Sequence, residues 1–152
     1  MKRLLTAVVA AGAAALVPPV AAATQSHSPR AELTHFVCRK DKVAAQRELA
    51  ITAVMRPLTG TQHMAIKFSL LRRTPSSHSF SQLTSGDLGR WISPPDPTLG
   101  QRPGDVWSLD KAVSDLPGPA AYRLRVEFRW TGAHRRVLGR ATRHTAVCRE
   151  SQ

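Results

Sequence analysis

Residues 121–130, AYRLRVEFRW, carry the most regular pattern in the chain. Apolar and polar side chains alternate without an exception from Tyr122 to Trp130, and all but one of the polar residues are arginines. Successive side chains of a β-strand point to opposite faces of its sheet, so strict alternation over this length predicts a half-buried strand. We expect its aromatic and aliphatic side chains in the core and its arginines at the surface.

The rest of the chain predicts further strands separated by turns rich in Gly, Pro and Ser. Residues 64–70 repeat the alternation, whereas the other candidates have looser patterns. These other candidates are 33–38, 50–56, 79–83, 88–92, 106–113 and 137–148. A helix competes only at residues 42–49, where good helix formers cluster. The sequence therefore predicts an all-β fold, an antiparallel sandwich or barrel.

The first 23 residues have the organisation of a secretory signal peptide. Lys2 and Arg3 precede an apolar run at 4–17, and residues 21–23 supply a small-residue cleavage site. The run is shorter than the about 20 residues that span a membrane. An uncleaved membrane anchor is therefore the less favoured alternative, and we expect a secreted, extracellular protein without a transmembrane segment in its mature chain.

Cleavage after Ala23 would leave a mature chain long enough for one domain. We expect a flexible N-terminus at residues 24–32, a single β-sandwich domain at 33–149 and a short tail at 150–152. Two cysteines, Cys38 and Cys148, fall near the two ends of that domain. In a secreted chain an intramolecular disulfide is the default for such a pair, with two buried thiols or an intermolecular bridge as the alternatives.

Residues 115–126, DLPGPAAYRLRV, resemble the E–F corner and strand F of immunoglobulin-like and fibronectin type III-like β-sandwiches. In that family a Tyr hydroxyl bonds back to the corner backbone, an arrangement called the tyrosine corner. The resemblance implies this role for Leu116 and Tyr122, and a two-sheet sandwich of about seven to eight strands. The cysteines do not match the inter-sheet pair of antibody domains, and no Trp falls on the third strand. These departures favour modules of bacterial secreted or cell-surface proteins over true immunoglobulin domains.

Sequence motifs of the common enzyme classes do not occur in the chain. There is no H-E-x-x-H, no G-x-S-x-G and no P-loop. His35, His63 and His144 could converge only through a sheet, with no carboxylates in register to support a metal ion. We therefore expect no catalytic residue, no metal site and no cofactor, and a small secreted hydrolase with an unrecognised site is the lesser alternative.

The charge of the chain favours an anionic partner, because 22 Lys and Arg residues face 10 Asp and Glu residues for a net charge of +12. If the strands pair as in the sandwich family, one sheet face collects guanidinium groups, which bind phosphate or carboxylate in a forked geometry. The candidate anion-binding residues are Arg72, Arg73, Arg123, Arg125, Arg129, Arg135, Arg136, Arg140 and Arg143. The competing interpretation is compositional, since a GC-rich genome enriches arginine without any binding function.

Nucleic acid is not an expected partner. Single strands are bound through exposed aromatic side chains interleaved with positive charge, and the aromatics of residues 121–130 alternate to the buried face. Only Trp91 and Trp107 are candidates for exposure. The leading hypothesis is a secreted, non-enzymatic immunoglobulin-like module that contacts an extracellular protein or the cell surface. The alternative is a binder of an anionic cell-wall polymer through its arginines.

Overall fold

A computed structural model of the chain describes residues 29–151, and nine β-strands run through them. In chain order the strands are β1 (Ala31–Arg39), β2 (Glu48–Met55), β3 (His63–Arg73), β4 (Ser81–Leu83), β5 (Trp91–Ile92), β6 (Trp107–Ser114), β7 (Ala120–Thr131), β8 (Val137–His144) and β9 (Cys148–Glu150). The predicted signal peptide and its cleavage site lie outside the described residues. Within residues 29–151, no helix is long and apolar enough to span a membrane.

The strands form two antiparallel sheets, which confirms the predicted fold class. A three-stranded sheet has the order β1-β2-β6. The six-stranded sheet has the order β4-β3-β7-β8, with β5 also paired to β3 and β9 also paired to β7. Buried apolar residues of both sheets, such as Leu49 and Met55 on one and Ile66 and Phe128 on the other, form a single core cluster.

The strand predicted at 121–130 is β7, and it occupies the centre of the six-stranded sheet. β3 pairs with it over its whole length, from His63 opposite Thr131 to Arg73 opposite Ala121. Leu124, Val126 and Phe128 are fully buried, while each residue between them is half-buried. The predicted alternation thus separates a core face from an outer face.

The strand predicted at 137–148 is interrupted and forms β8 and β9. The sheets therefore contain nine strands instead of the predicted seven to eight. Between β8 and β9, Thr145 donates its amide proton to the carbonyl of Leu124 and accepts a hydrogen bond from the Leu124 amide on its hydroxyl, each at 3.0 Å. The hydroxyl itself donates to the Ala146 carbonyl at 2.9 Å. A Thr side chain that replaces a backbone partner in this way ends one strand and lets the ladder resume at β9.

Residues 42–49, where the sequence allows a helix, contain one 3-10 turn, Ala44–Gln46. Arg47 follows this turn and is buried, with 4% of its surface exposed. Its guanidinium donates to two carbonyls of the preceding loop and to the carbonyl of Leu116, and its Nε lies 3.6 Å from the Glu150 carboxylate. This buried cation connects the loop between β1 and β2 to the C-terminal strand β9.

Cys38 of β1 and Cys148 of β9 form a disulfide, with their Cα atoms 5.5 Å apart. The predicted intramolecular pairing is confirmed. Since β1 belongs to the three-stranded sheet and β9 to the six-stranded sheet, the bridge joins the two sheets at one edge. The strands extend beyond the predicted domain of 33–149 at both ends, because β1 begins at Ala31 and the buried Glu150 belongs to β9.

The corner before β7 is closed by a hydrogen bond from Tyr122. Its hydroxyl donates to the carbonyl of Pro117 at 2.5 Å, five residues upstream, and its ring is fully buried. Leu116 packs into the same core with 2% of its surface exposed. The loop from β6 thus enters β7 with both residues of the predicted tyrosine corner buried.

Replacing both cysteines with serine should lower the free energy of unfolding by about 2–5 kcal/mol, because the unfolded chain then loses a cross-link that closes nearly the whole domain. Urea denaturation of the wild type and of the Cys38→Ser/Cys148→Ser protein measures the difference. Reductant should bring the wild-type midpoint to that of the variant and leave the variant unchanged. Equal midpoints for oxidised and reduced wild type would contradict a stabilising bridge.

Tyr122→Phe should lower the free energy of unfolding by about 1–3 kcal/mol, because the ring stays in place while the Pro117 carbonyl loses its donor. Thermal and urea unfolding measure the change. Tyr122→Ala serves as the reference, with an expected loss of about 3–5 kcal/mol from the cavity as well. A Phe variant as stable as the wild type would show that the hydroxyl contributes nothing at this corner.

Candidate anion-binding surface

The outer face of the six-stranded sheet collects most of the basic side chains of β3, β7 and β8. Arg123, Arg125 and Arg129 occupy its central strand and alternate with buried residues. Arg140 of β8 lies directly opposite Arg129, and Lys67 of β3 lies opposite Glu127, which stands between Arg125 and Arg129 on the outer side of β7. This arrangement follows from the register, since the outward positions of neighbouring antiparallel strands stand side by side.

Not all of the sequence-predicted arginines share this face. Arg72 pairs with Tyr122, and Arg143 pairs with Val126, so both stand at core-facing positions of the register and their assignment to the outer face is wrong. Each escapes the core because it lies near a strand end or on an edge strand. Arg135 and Arg136 lie at the 3-10 turn between β7 and β8.

Two basic residues that the sequence did not predict also belong to the face. Lys67 faces outward from β3, and Arg149 of β9 pairs with Ala121, next to Arg73. We call the resulting surface the basic face. Its basic residues are Lys67, Arg73, Arg123, Arg125, Arg129, Arg140 and Arg149.

Two aromatic rings lie among these charges. The Phe80 ring has the guanidinium of Arg123 at 4.3 Å and that of Arg73 at 5.0 Å from its centroid. The Trp91 ring has the Arg129 guanidinium at 4.3 Å and the Lys67 ammonium at 4.8 Å. These are cation–π distances, so each ring holds two cations against the sheet.

The segment that contains both rings, residues 80–92, pairs with β3 and contacts β6. The edge strands predicted at 79–83 and 88–92 are the shorter β4 and β5, which both pair with β3. Between them the Gly89 amide donates to the Phe68 carbonyl at 2.7 Å, and Asp87 pairs with Lys111 of β6. The hydrogen bond from Lys111 is the main reason that the pKa of Asp87 is lowered. These contacts fix the position of Trp91.

Exposure differs sharply among the three tryptophans. Trp91 is 36% exposed, whereas Trp107 and Trp130 are 5% and 3% exposed. The sequence-based expectation that Trp107 is a candidate for exposure is therefore wrong, because it opens β6 on a core-facing position. The argument that the aromatics are buried away from the charge does not apply to Phe80 and Trp91.

Glu127 is the acidic side chain on the β7 row of the basic face. Its Oε2 lies 2.9 Å from the Lys67 ammonium and 3.6 Å from the Arg125 guanidinium. Arg125 also donates to the side-chain oxygen of Gln82 at 2.7 Å. One carboxylate among seven cations leaves the face strongly positive.

His144 has a lowered pKa on this sheet. It pairs with Arg125 across β7 and β8, and its pKa is lowered by burial first and then by the charges of Arg123 and Arg125. As the pH falls, the unfolded chain protonates His144 first, near its ordinary value of 6.5. The contribution of this residue to stability is therefore present above that pH and lost below it.

Two depressions open on the basic face. One, of about 440 Å³, lies at the Arg73 end, with His78 and Arg149 in its lining. The other, of about 250 Å³, lies beside Trp91 and is lined by Lys67, Glu127, Arg129, Arg140 and Thr142 among others. The surface thus offers an extended row of charges with a concave site toward each end.

The histidines considered as metal ligands do not meet. His35 lies on β1 of the three-stranded sheet, and His63 and His144 pair with positions six residues apart on β7. Within residues 29–151, the one close group of three metal-ligating side chains is Cys38, Cys148 and Glu150, in which the two sulfurs are bonded to each other.

No protein-family model matches the chain, and no curated protein or solved structure is significantly similar to it. The function of the basic face is therefore argued from its geometry and chemistry.

Replacing Arg123 and Arg125 with glutamine should raise the pKa of His144, because two of the charges that oppose its protonation are removed while burial stays. An NMR titration of the imidazole signals measures the midpoint. Arg39→Gln/Lys40→Gln, which removes two exposed charges at the end of β1, should leave the midpoint in place. The same midpoint in both variants would show that the arginines do not act on His144.

Proposed function

We propose that this protein is a secreted, non-enzymatic module with an immunoglobulin-like sandwich, and that it binds a linear anionic polymer of the cell surface along β7. The observation that carries this proposal is the pairing of cations with Phe80 and Trp91 on the basic face. A signal peptide at residues 1–23 would deliver the module to the compartment where such polymers occur.

The strand order supports an immunoglobulin-like architecture. In that family strands A, B and E share one sheet and strands C, F and G share the other. With β1, β2 and β6 as A, B and E, and with β3, β7 and β8 as C, F and G, the two sheets have this division. The hydrogen bond from Tyr122 to Pro117 also supports this assignment, because a Tyr at the start of strand F bonds back to the backbone in the tyrosine corner of that family. The disulfide joins the first and last strands instead of B and F.

The aromatic partners favour a binding function over the compositional interpretation. A bias toward arginine would scatter guanidinium groups over the surface, but it would not place an aromatic ring beneath them. Phe80 and Trp91 each contact two cations, and both rings come from a segment that pairs with the edge of β3. Side chains held in this way lose less conformational freedom when a ligand binds, which favours affinity.

The spacing of the charges favours a polymer over a small anion. Alternate residues of a strand are about 6.6 Å apart, so Arg123, Arg125 and Arg129 span about 20 Å along β7. Arg73 and Arg149 extend this row beyond one end, and Arg140 widens it at the other. A ligand with repeated phosphate or carboxylate groups could contact several guanidiniums at once.

Replacing Arg123, Arg125 and Arg129 together with glutamine should weaken binding to inorganic polyphosphate and to polygalacturonate by about 10- to 100-fold. It should also flatten the dependence of affinity on salt, because fewer counterions are released. Titration calorimetry at several ionic strengths measures both effects. The polymers should be recovered at unchanged length, as expected of a binder without hydrolytic activity.

The matched control removes three positive charges that do not belong to the basic face. Arg39, Lys40 and Lys42 are exposed near the end of β1, and their replacement with glutamine lowers the net charge by the same amount. This control should retain nearly wild-type affinity. If the two triple variants lose affinity equally, binding depends on net charge alone and the basic face is not the site.

A further inference from the structure

We infer that the depression beside Trp91 is a subsite for an acidic sugar residue, a hexuronate, of the bound polymer. This inference rests on the proposed function and makes it specific, because it selects carboxylated polysaccharide over phosphate chains. It follows from an exposed indole, a pair of arginines and two hydrogen-bonding groups that line the same depression.

Trp91 is held at the surface by the shortest strand of the sheet. In β5, Ile92 pairs with Ile66 toward the core, which places Trp91 opposite Lys67 on the outer face. It is the single exposed tryptophan of the three in the chain. An indole is apolar on its ring face, and a pyranose ring offers a matching face of C–H groups while its hydroxyls point outward.

The cations beside the ring fit a carboxylate. Arg129 and Arg140 stand directly opposite each other on β7 and β8, and both line the depression. The Arg129 guanidinium lies 4.3 Å from the centroid of the Trp91 ring, so a sugar that packs on the indole brings its carboxylate within reach of the pair. A planar guanidinium binds a carboxylate through two parallel hydrogen bonds.

The acceptor in the depression distinguishes a sugar from a phosphate chain. Glu127 lines it, with Thr142 directly opposite on β8. A polyphosphate chain carries no hydrogen-bond donor for a carboxylate and is repelled by its charge. Sugar hydroxyls can donate to Glu127 and can exchange hydrogen bonds with Thr142. A hexuronate therefore offers donors to Glu127 as well as a carboxylate to the arginines, whereas a phosphate chain offers nothing to Glu127.

The same surface is a poor platform for a nucleic acid strand. Single-strand binding sites stack successive bases on aromatic faces. Phe80 is only partly exposed, whereas Trp91 is 36% exposed. Trp91 alone is open enough to stack a ligand ring, which suits one sugar unit better than a run of bases.

The test compares an oligogalacturonate with inorganic polyphosphate on Trp91→Ala, using calorimetry. Trp91 holds two cations for either ligand, so this variant should bind both more weakly, but it should lose about 10-fold more affinity for the oligogalacturonate than for polyphosphate. Phe80→Ala removes the other ring of the face and is the matched control, because it should not discriminate between the two ligands. Circular dichroism verifies that each variant is folded.

Two further measurements do not depend on removing the ring. In the wild type, oligogalacturonate should protect the fluorescence of the exposed Trp91 from acrylamide, and polyphosphate should protect it less. Glu127→Val should strengthen polyphosphate binding, because a negative charge is lost, and should weaken oligogalacturonate binding, because the acceptor is lost. Opposite changes for the two ligands cannot arise from net charge.

The outcomes separate the subsite from the proposed function. If Trp91→Ala weakens both ligands equally, or Glu127→Val strengthens both, the sugar subsite is overturned while polyanion binding stands. If single-stranded DNA protects Trp91 as well as oligogalacturonate does, the subsite is also overturned, in favour of base stacking. If the wild-type protein binds neither anionic polymer, the proposed function itself fails.

Discussion

The pairing of β3 with β7 is the constraint on which both the core and the basic face depend. Eleven residue pairs from His63–Thr131 to Arg73–Ala121 run through this ladder without a shift. Because side chains alternate with a period of two, a slip by one residue would turn the arginines inward and expose Leu124, Val126 and Phe128. Burying several guanidiniums costs far more free energy than any surface contact could return. The apolar face of β7 therefore determines the geometry of its charged face.

The fold could be predicted where the local pattern decided it. The alternation of residues 121–130 is a local signal, and the core imposes it on the strand directly. The break at Thr145 could not be predicted, because it arises from hydrogen bonds with Leu124, which lies on another strand. The burial of Arg47 is equally non-local: its acceptors include the Leu116 carbonyl and its counter-ion is Glu150. In sequence it has the appearance of an ordinary helix-forming residue.

The sequence predicted the arginines of β7 in the candidate site, but it did not predict which residues of the neighbouring strands join them. Arg123, Arg125 and Arg129 follow from the period of β7 alone. The faces of Arg72 and Arg143 could not be read from the sequence, because adjacent residues of a strand face opposite ways and the register with β7 decides which of them faces outward. Phe80 and Trp91 reach the face only through the pairing of two short edge strands with β3. A segment rich in Ser, Gly and Pro gives little periodic signal from which such pairing can be inferred.

The repulsion between the cations of the basic face opposes folding of the ligand-free protein, and this cost is an argument for a binding function. Like charges on adjacent outward positions of neighbouring strands repel each other, and after burial the charges of Arg123 and Arg125 further lower the pKa of His144. The Nε atoms of Arg123, Arg125 and Arg129 are buried without a hydrogen-bond partner. Phe80, Trp91 and Glu127 offset part of this cost but leave most of the charge unneutralised. A polyanion would supply the missing counter-charges, so binding and stability should rise together on this face. Arginines retained only for solubility would not need to be crowded on one sheet, where their mutual repulsion is greatest.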